Sequence, residues 1–498
     1  MKTRILIQGT VSELYFPNTG KVIPDIPQPL KPESYHAPGA EADSESGDFC
    51  YVSPGLNHGP FHLKDVLPGQ TVIASLGTKG KSGRLGHMLE LVCRAPYEIE
   101  PECPHAAECG GCRFQTVPYP MQLEWKETQV RRLLREIDGI GDALWLPILA
   151  GPLPLAYRNK MEFSFGDAYK GGPLTLGLHR RSAYHDIIET PSCRLVHPDL
   201  TRILAYTAEY FRKAGATRHS TYTHLGFLRH LVLRRSYANG EILVNLVTST
   251  QADADIRPWV DGLLALPLEG RLAGILHTEN DAPGDFVQSD RTLVLWGRDF
   301  LTEKLLGLSF RISPFSFFQT NTLGAEKLYE CIRSLAGDLK GKTAFDLYCG
   351  TGTIAQVMAS AGAEKVYGIE IVEEAAQAAR ENSELNGLTN CLFYAGDVLK
   401  LVDELDDRPD LIVLDPPREG INPRALEKIL AFSPDTFLYV SCKPTSLARD
   451  LPAFTEAGYR VTCVRCCDMF PMTPGVETVV RLDKGPAENE LPAPEENR

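Results

Sequence analysis

Apolar positions change their rhythm three times along this chain. Over residues 1–98 they come in short runs, RILIQGTV, DFCYVSPG, TVIASLG and HMLELVCRA, broken by glycine and proline, which predicts short strands. LPGQTV followed by KGKSGR predicts a turn into a strand and then a basic hairpin, and a small, OB-like β-barrel is the natural closure for such strands. Inside this region, residues 24–48 are rich in Pro, Ser and acids and predict a flexible insertion. Spacing then becomes helical around Gln122–Ile137, and residues 196–310 mix helices such as TRILAYTAEYFRKAG with strands such as EILVNLVTST, without a repeat. From residue 311 strand and helix alternate, an α/β signature. The expected architecture is multi-domain: a β-barrel over 1–98, an α+β central domain over 99–310, and a Rossmann-like α/β domain over 311–485. The polar, acidic residues 486–498 form a disordered tail.

Length supports this division, since 498 residues are too many for one core. With 43% hydrophobic and 23% charged residues, the composition is that of a soluble globular protein. No run approaches the ~18 apolar residues that span a bilayer, and MKTRILIQGTVSEL lacks the apolar segment of a signal peptide. The expectation is a cytoplasmic protein with no membrane contact and no obligate protein partner. Thirteen cysteines, an odd number without a secretory signal, point to metal-binding or catalytic thiols rather than disulfides. Cys331, Cys391 and Cys463 sit among apolar neighbours and read as core residues.

A net charge of −13 argues against a polyanionic partner, but the average conceals an asymmetry. Residues 151–240 hold 13 Lys/Arg against 6 Asp/Glu. Arg180, Arg181, Arg212, Lys213, Arg218, Arg229, Arg234 and Arg235 are interleaved there with Tyr184, Tyr206, Tyr210, Tyr222 and Tyr237. Cations for phosphates and rings for bases suit RNA. A solvated basic face over core tyrosines is an equal alternative from this feature alone.

The chemistry concentrates in the last third. KTAFDL predicts a strand that runs through YCGTGTI into a helix, the geometry of a nucleotide-type site. KVYGIEI ends the next strand at Glu370, CLFYAG precedes Asp397, and DLIVLD ends at Asp415, followed by PPREG. A single acid at a strand end is usually a cap. Three in succession after a GxG turn all point into one crevice, where they can accept hydrogen bonds from an adenosine. No lysine follows the glycines, which excludes a phosphate cradle for ATP. TFLYVSC ends a fifth strand at Cys442, at the start of a helix. The helix N-terminus, Lys443 and Arg449 are expected to lower the thiol pKa. A buried strand-end cysteine is the structural alternative. YRVTCVRCCDMFPMTPGVETVVRL then predicts two strands meeting at a loop, with Glu477 at its mouth.

FFQTN (317–321), DLYCGTG (346–352), DPPREG (415–420), SCKPTSLARD (441–450) and DMFPMTPGVE (468–477) occur in this order over about 160 residues. They resemble the five signature blocks of the RNA uracil-5-methyltransferases. The resemblance implies a class I methyltransferase domain that uses S-adenosylmethionine, with Cys442 as covalent nucleophile and Glu477 as base. It places Gln319, Tyr348, Thr353, Glu370, Asp397 and Asp415 around the cofactor, Asp415 also holding the uracil edge and Gln319 also facing the target base. Two positions depart from the family pattern: Lys443 stands where Asn is common, and Gly475 where His is common.

Cys103, Cys109 and Cys112 have the spacing C-x5-C-x2-C, with Cys193 the candidate fourth ligand. Four thiolates fit zinc or an iron–sulfur cluster equally on ligand count. The motif resembles the 4Fe–4S site of the same family, which implies a structural cluster. The barrel and the cysteine site together resemble the ribosomal-RNA enzymes more than the transfer-RNA ones. Other readings are an amino-group methyltransferase, against which the Cys442 and Glu477 blocks argue, and a non-catalytic RNA-binding factor, against which the intact site argues. A zinc deaminase is excluded because no HxE pairs with a suitable PCxxC.

Overall fold

The computed structural model describes residues 6–15, 19–24, 60–80, 83–181, 183–251, 254–401, 405 and 407–485. The expected insertion 24–48, apart from Pro24, and the expected tail 486–498 lie outside these residues. The chain forms two compact units, Met1–Glu100 with Thr116–Gln129, and Pro101–Gln115 with Val130–Arg498.

In the first unit β1 (Leu6–Tyr15), β2 (Thr19–Pro24), β3 (Phe61–Lys64), β4 (Thr71–Gly80) and β5 (Gly83–Cys93) close a barrel in the order β1-β2-β3-β5-β4. Alternation drives the closure. Ile7, Val11, Val22, Phe61, Leu63, Val66, Val72 and Ala74 point inward and form one buried cluster. Helix α1 (Tyr119–Leu134) begins in this unit and ends in the other.

The second unit contains two large sheets. The strands of the first are β7 (Lys160–Gly166), β8 (Thr175–Arg180), β9 (Ala183–Glu189), β10 (Leu228–Arg235), β11 (Glu241–Thr248), β12 (Arg271–Glu279) and β13 (Arg291–Gly297), in the order β13-β12-β11-β10-β7-β8-β9. Helices α2 (Pro198–Lys213) and α3 (Arg257–Leu264) share its core. Leu200, Ile203, Leu204 and Phe211 recur at helical spacing on the buried face of α2, and Trp259 of α3 packs against Phe211. Pro198 begins α2, and the His197 ring accepts the Asp199 N–H at 3.2 Å. A hairpin, β14 (Leu301–Leu305) and β15 (Leu308–Ile312), leads to α4 (Thr322–Ala336).

The second sheet holds β6 (Leu144–Leu149), β16 (Thr343–Leu347), β17 (Lys365–Glu370), β18 (Cys391–Ala395), β19 (Leu411–Leu414), β20 (Thr436–Ser441), β21 (Tyr459–Cys467) and β22 (Glu477–Lys484). Their order is β18-β17-β16-β19-β20-β22-β21-β6. β16 to β20 run parallel, and β22 enters antiparallel between β20 and β21. Helices α5 (Thr353–Ser360), α6 (Glu373–Leu385), α7 (Val398–Leu401), α8 (Pro423–Ala431) and α9 (Pro444–Glu456) connect these strands. Strand order reverses between β16 and β19, so a crevice opens at the carboxyl ends of those strands. Cys331 and Cys463 are buried in this core, with Cys391 partly buried against it, as their apolar surroundings suggest. β6 is the surprise: it lies within the stretch expected to be central, yet it pairs with β21.

Candidate active site

The glycine turn after β16 is held open by backbone that side chains resist. Tyr348 (φ +70°), Gly350 (φ +54°) and Gly352 (φ +72°) are left-handed. A Cβ on Gly352 would stand 2.6 Å from the Phe393 ring and 2.9 Å from Ala379, so only glycine fits there. Glu370, at the tip of β17, braces the turn by accepting the N–H groups of Gly350 and Val372, each at 2.9 Å. A carboxylate has about four acceptor positions, so capacity remains for ligand hydroxyls. Asp397 accepts the Leu399 N–H at 3.0 Å, and burial, with Asp397 and Asp450 nearby, pushes the Tyr348 phenol up to about 12. The Thr353 hydroxyl lies 3.1 Å from the buried Tyr329 hydroxyl, and Thr351 donates to the Phe317 carbonyl at 3.1 Å. Gln319 is buried just before α4, its carbonyl accepting from Asn159 Nδ2 at 2.9 Å. This set of acceptors, with Glu370 and Asp397 and no lysine, suits ribose hydroxyls and repels phosphate.

Cys442 follows β20 directly. The antiparallel register ends with Ser441 paired to Thr478, and Cys442 and Glu477 adjoin this last pair. Glu477 in turn pairs with Cys467 of β21, and its side chain is buried. Burial, then the nearby Asp415, pushes Glu477 up to about 8. Asp415, just past β19, is pushed up to about 7 by burial. The expected lowering of the Cys442 pKa is not found. Burial, then Glu477 and Asp415, push the thiol up to about 11. Arg449 is engaged elsewhere, with Asp450 at 2.7 Å and the Glu419 carbonyl at 2.7 Å. Proline at the first position of α9 has no N–H to offer, and the Lys443 N–H donates to Ser441 Oγ at 3.2 Å.

Two site groups escape a reading of the sequence. Arg418 counteracts the rise of both Cys442 and Glu477, and its only advance signal was its place in DPPREG. Asp346, inside DLYCGTG, is completely buried; one oxygen accepts the Ala355 N–H at 2.8 Å and the other finds no partner. Burial, with Asp415 and Glu370 nearby, raises its pKa well above the usual carboxylate value.

A model of the methyltransferase domain matches residues 338–457. An uncharacterized RNA methyltransferase of Clostridium tetani is 46% identical over 423 residues, 84% of this chain and 92% of its own length. Another, of Caldanaerobacter subterraneus, is 46% identical over 442 residues, 88% and 97% of the two chains. This chain belongs to the RNA methyltransferases. In solved structures, a Pyrococcus abyssi tRNA (uracil-54, C5)-methyltransferase in complex with S-adenosyl-L-homocysteine is similar, with a TM-score of 0.69. That likeness covers 96% of this chain and 100% of the other at 23% identity, and is one of fold.

The methyltransferase carries its four motif cysteines in one body. Cys103, Cys109 and Cys112 are buried and Cys193 is half-buried, all without disulfides. Burial pushes Cys112 up to about 12 and Cys193 up to about 11, and the neighbouring thiols add to both shifts. Among the described residues, however, no three His, Cys, Asp or Glu converge closely enough to hold a metal ion. The thiols are gathered without closing on one point. Soft, grouped, unpaired sulfurs are a donor set that fits a thiophilic metal group. Arg181 braces their loop by donating to the carbonyls of Ala106 and Cys112 at 2.9 and 2.8 Å. The Gly111 N–H reaches Cys109 Sγ at 3.4 Å, as the glycine pair suggests.

The basic stretch of the methyltransferase requires a correction. All eight named cations are bound within the protein. Arg180 pairs with Glu108, Arg212 with Glu189, Lys213 with Glu209, Arg218 with Asp167 and Arg235 with Asp199. Arg229 and Arg234 are buried and donate to backbone carbonyls, and Arg181 braces the cysteine loop. Tyr206 and Tyr210 donate to the carbonyls of Trp259 and Asp255. Tyr222 and Tyr237 are exposed, and the Tyr184 side chain lies outside the described residues. Local charge therefore does not amount to a free phosphate-binding face. No helix among the described residues is long and apolar enough to cross a membrane.

Proposed function

We propose that this RNA methyltransferase adds a methyl group to carbon 5 of a uridine. The observation that carries this reading is a thiol and a carboxyl at adjoining strand ends, Cys442 just after Ser441 and Glu477 just before its partner Thr478, beside a second carboxyl at the end of β19. Amino-group methylation needs no such thiol. S-adenosylmethionine suits the glycine turn with Glu370, Asp397 and Tyr348 beside it, and when bound it supplies an electrophilic methyl group.

Carbon 5 of uracil is a weak nucleophile. Cys442 gives its proton to Asp415 and adds Sγ to carbon 6, which moves the double-bond electrons toward carbon 5 and oxygen 4. Asp415 holds the uracil edge by hydrogen bonds. Once carbon 5 carries the methyl group, Glu477 takes the proton from carbon 5. The C5–H electron pair restores the ring double bond, the Sγ–C6 pair leaves with sulfur as a thiolate, and Cys442 takes its proton back from Asp415. A base in folded RNA has to leave its stack to meet these groups.

Ribosomal RNA is the proposed substrate, from the resemblance of the barrel and the cysteine site. The second reading is transfer RNA, which the Pyrococcus likeness across nearly the whole chain favours. Mapping 5-methyluridine in both RNA pools from wild-type and deletion cells tests all of this. We expect one position to lose its methyl group in the deletion strain. No change in either pool refutes the assignment.

Cys103, Cys109, Cys112 and Cys193 are the proposed ligands of a 4Fe–4S cluster, with zinc the alternative. Zinc would take the same four sulfurs at about 2.3 Å from a single centre. Protein purified without oxygen is expected to be brown, with iron and sulfide each near four per chain. One zinc and no iron would overturn the cluster.

A further inference from the structure

The segment Asp468–Val476 joins β21 to β22 and delivers Glu477, and contacts from distant parts of the chain hold it. The Asp468 N–H donates to the Leu149 carbonyl at 2.8 Å, and Asn321 Nδ2 donates to the Met469 carbonyl at 2.9 Å. The Tyr157 hydroxyl donates to the Pro471 carbonyl at 3.0 Å. The N–H groups of Arg113 and Phe114, directly after Cys112, both donate to the Met472 carbonyl at 3.0 Å. Phe470 and Met472 pack against the same buried cluster as Cys112, Tyr157 and Cys193.

Met472 is the point of strain. Its φ of +65° is left-handed, a conformation that L side chains adopt at a cost and keep only where surrounding contacts over-determine it. Two converging N–H donors on one carbonyl, with a third bond on the preceding residue, are such a set. All three come from the cysteine loop and the tyrosine beside it, not from the sheet that carries Glu477.

We infer that the loop Cys109–Gln115 and Tyr157 are positioning elements for the proton-abstraction step, holding the Met472 turn so that β22 begins with Glu477 buried beside Cys442. The inference rests on the reading of Glu477 as the base. Cys442 follows β20 and Asp415 follows β19, and none of the clamp bonds falls on either strand. Loosening it therefore leaves thiol addition and methyl transfer in place. Removal of the carbon-5 proton slows, and the Sγ–C6 bond persists.

The test uses the full chain purified without oxygen and total RNA from deletion cells grown with or without 5-fluorouracil. Fluorine on carbon 5 cannot be taken by a base, so adduct yield on fluorinated RNA reports only the earlier steps. Tyr157→Phe removes one clamp bond and keeps the ring. Arg181→Gln frees the Cys112 carbonyl from the opposite side of the loop, and covers the case in which the first variant does not fold. At saturating RNA, each is expected to form adduct on fluorinated RNA within about twofold of wild type. On ordinary RNA, turnover should fall on the order of tenfold, with methylated adduct accumulating on denaturing gels. Adduct yield that falls in step with turnover, or turnover unchanged in both variants, overturns the inference. If Glu477→Gln itself traps no adduct on ordinary RNA, it is the base assignment that fails.

Discussion

Cys442→Ala is expected to abolish 5-methyluridine formation while S-adenosylmethionine binding stays within about twofold of wild type. The two effects separate because the thiol and the glycine turn stand on different strands. Gly350, Gly352, Glu370 and Asp397 belong to β16, β17, β18 and the turns after them, whereas Cys442 follows β20. Removing the sulfur empties no part of the turn. On the proposed mechanism it does remove the atom that activates carbon 5. With a pKa near 11, the thiol is only about one part in ten thousand thiolate at neutral pH. On the covalent proposal, the thiol then needs a proton acceptor before it can add to the ring. Product nucleosides measured by mass spectrometry, beside cofactor binding by calorimetry, check both halves. Full turnover by the alanine variant would end the covalent proposal.

Glu477→Gln has the second large expected effect, of a different kind. Methyl transfer goes forward, the carbon-5 proton stays, and a protein–RNA adduct that survives denaturing electrophoresis accumulates in place of product. Glutamine preserves the volume at a completely enclosed position, so the loss belongs to the missing base. Wild-type turnover should also depend on pH. A carboxyl pushed up to about 8 holds its proton below that value, and a protonated group cannot accept another. At pH 7 about one-tenth of Glu477 is the competent carboxylate. The rate of adduct resolution should therefore rise toward a plateau as pH passes through about 8, and the glutamine variant should lose that rise. A rate that falls over the same range would contradict Glu477 as the base.

Much of this site could be read from the chain because its parts are local. A strand, a glycine turn and a helix announce themselves within about a dozen residues, and an acid at a strand end is placed by the strand. What stayed hidden depends on partners far away in sequence. The expected lowering of the thiol pKa fails because burial, then Glu477 and Asp415, outweigh the adjacent positive charge. The basic stretch misled for the same reason, since Arg180 is neutralised by Glu108 and Arg229 by carbonyls near residue 282. A side chain at Gly475 would meet the Phe470 ring at 3.4 Å, ordinary contact, so glycine is not required by the fold.

The edge strand β6 imposes a timetable. Leu144 pairs with Cys463, about 320 positions later. At about 5–20 residues per second, a ribosome takes roughly 15–60 s to deliver that partner. For that interval an apolar strand stands with open hydrogen-bonding groups, a state in which chains pair with their neighbours. A chain begun at residue 311 has the converse problem, because β21 then has a bare edge and the Asp468 N–H loses its carbonyl. The gene should therefore tolerate a break between the halves only when both products are made together, with the earlier one supplying the last strand of the later one's sheet.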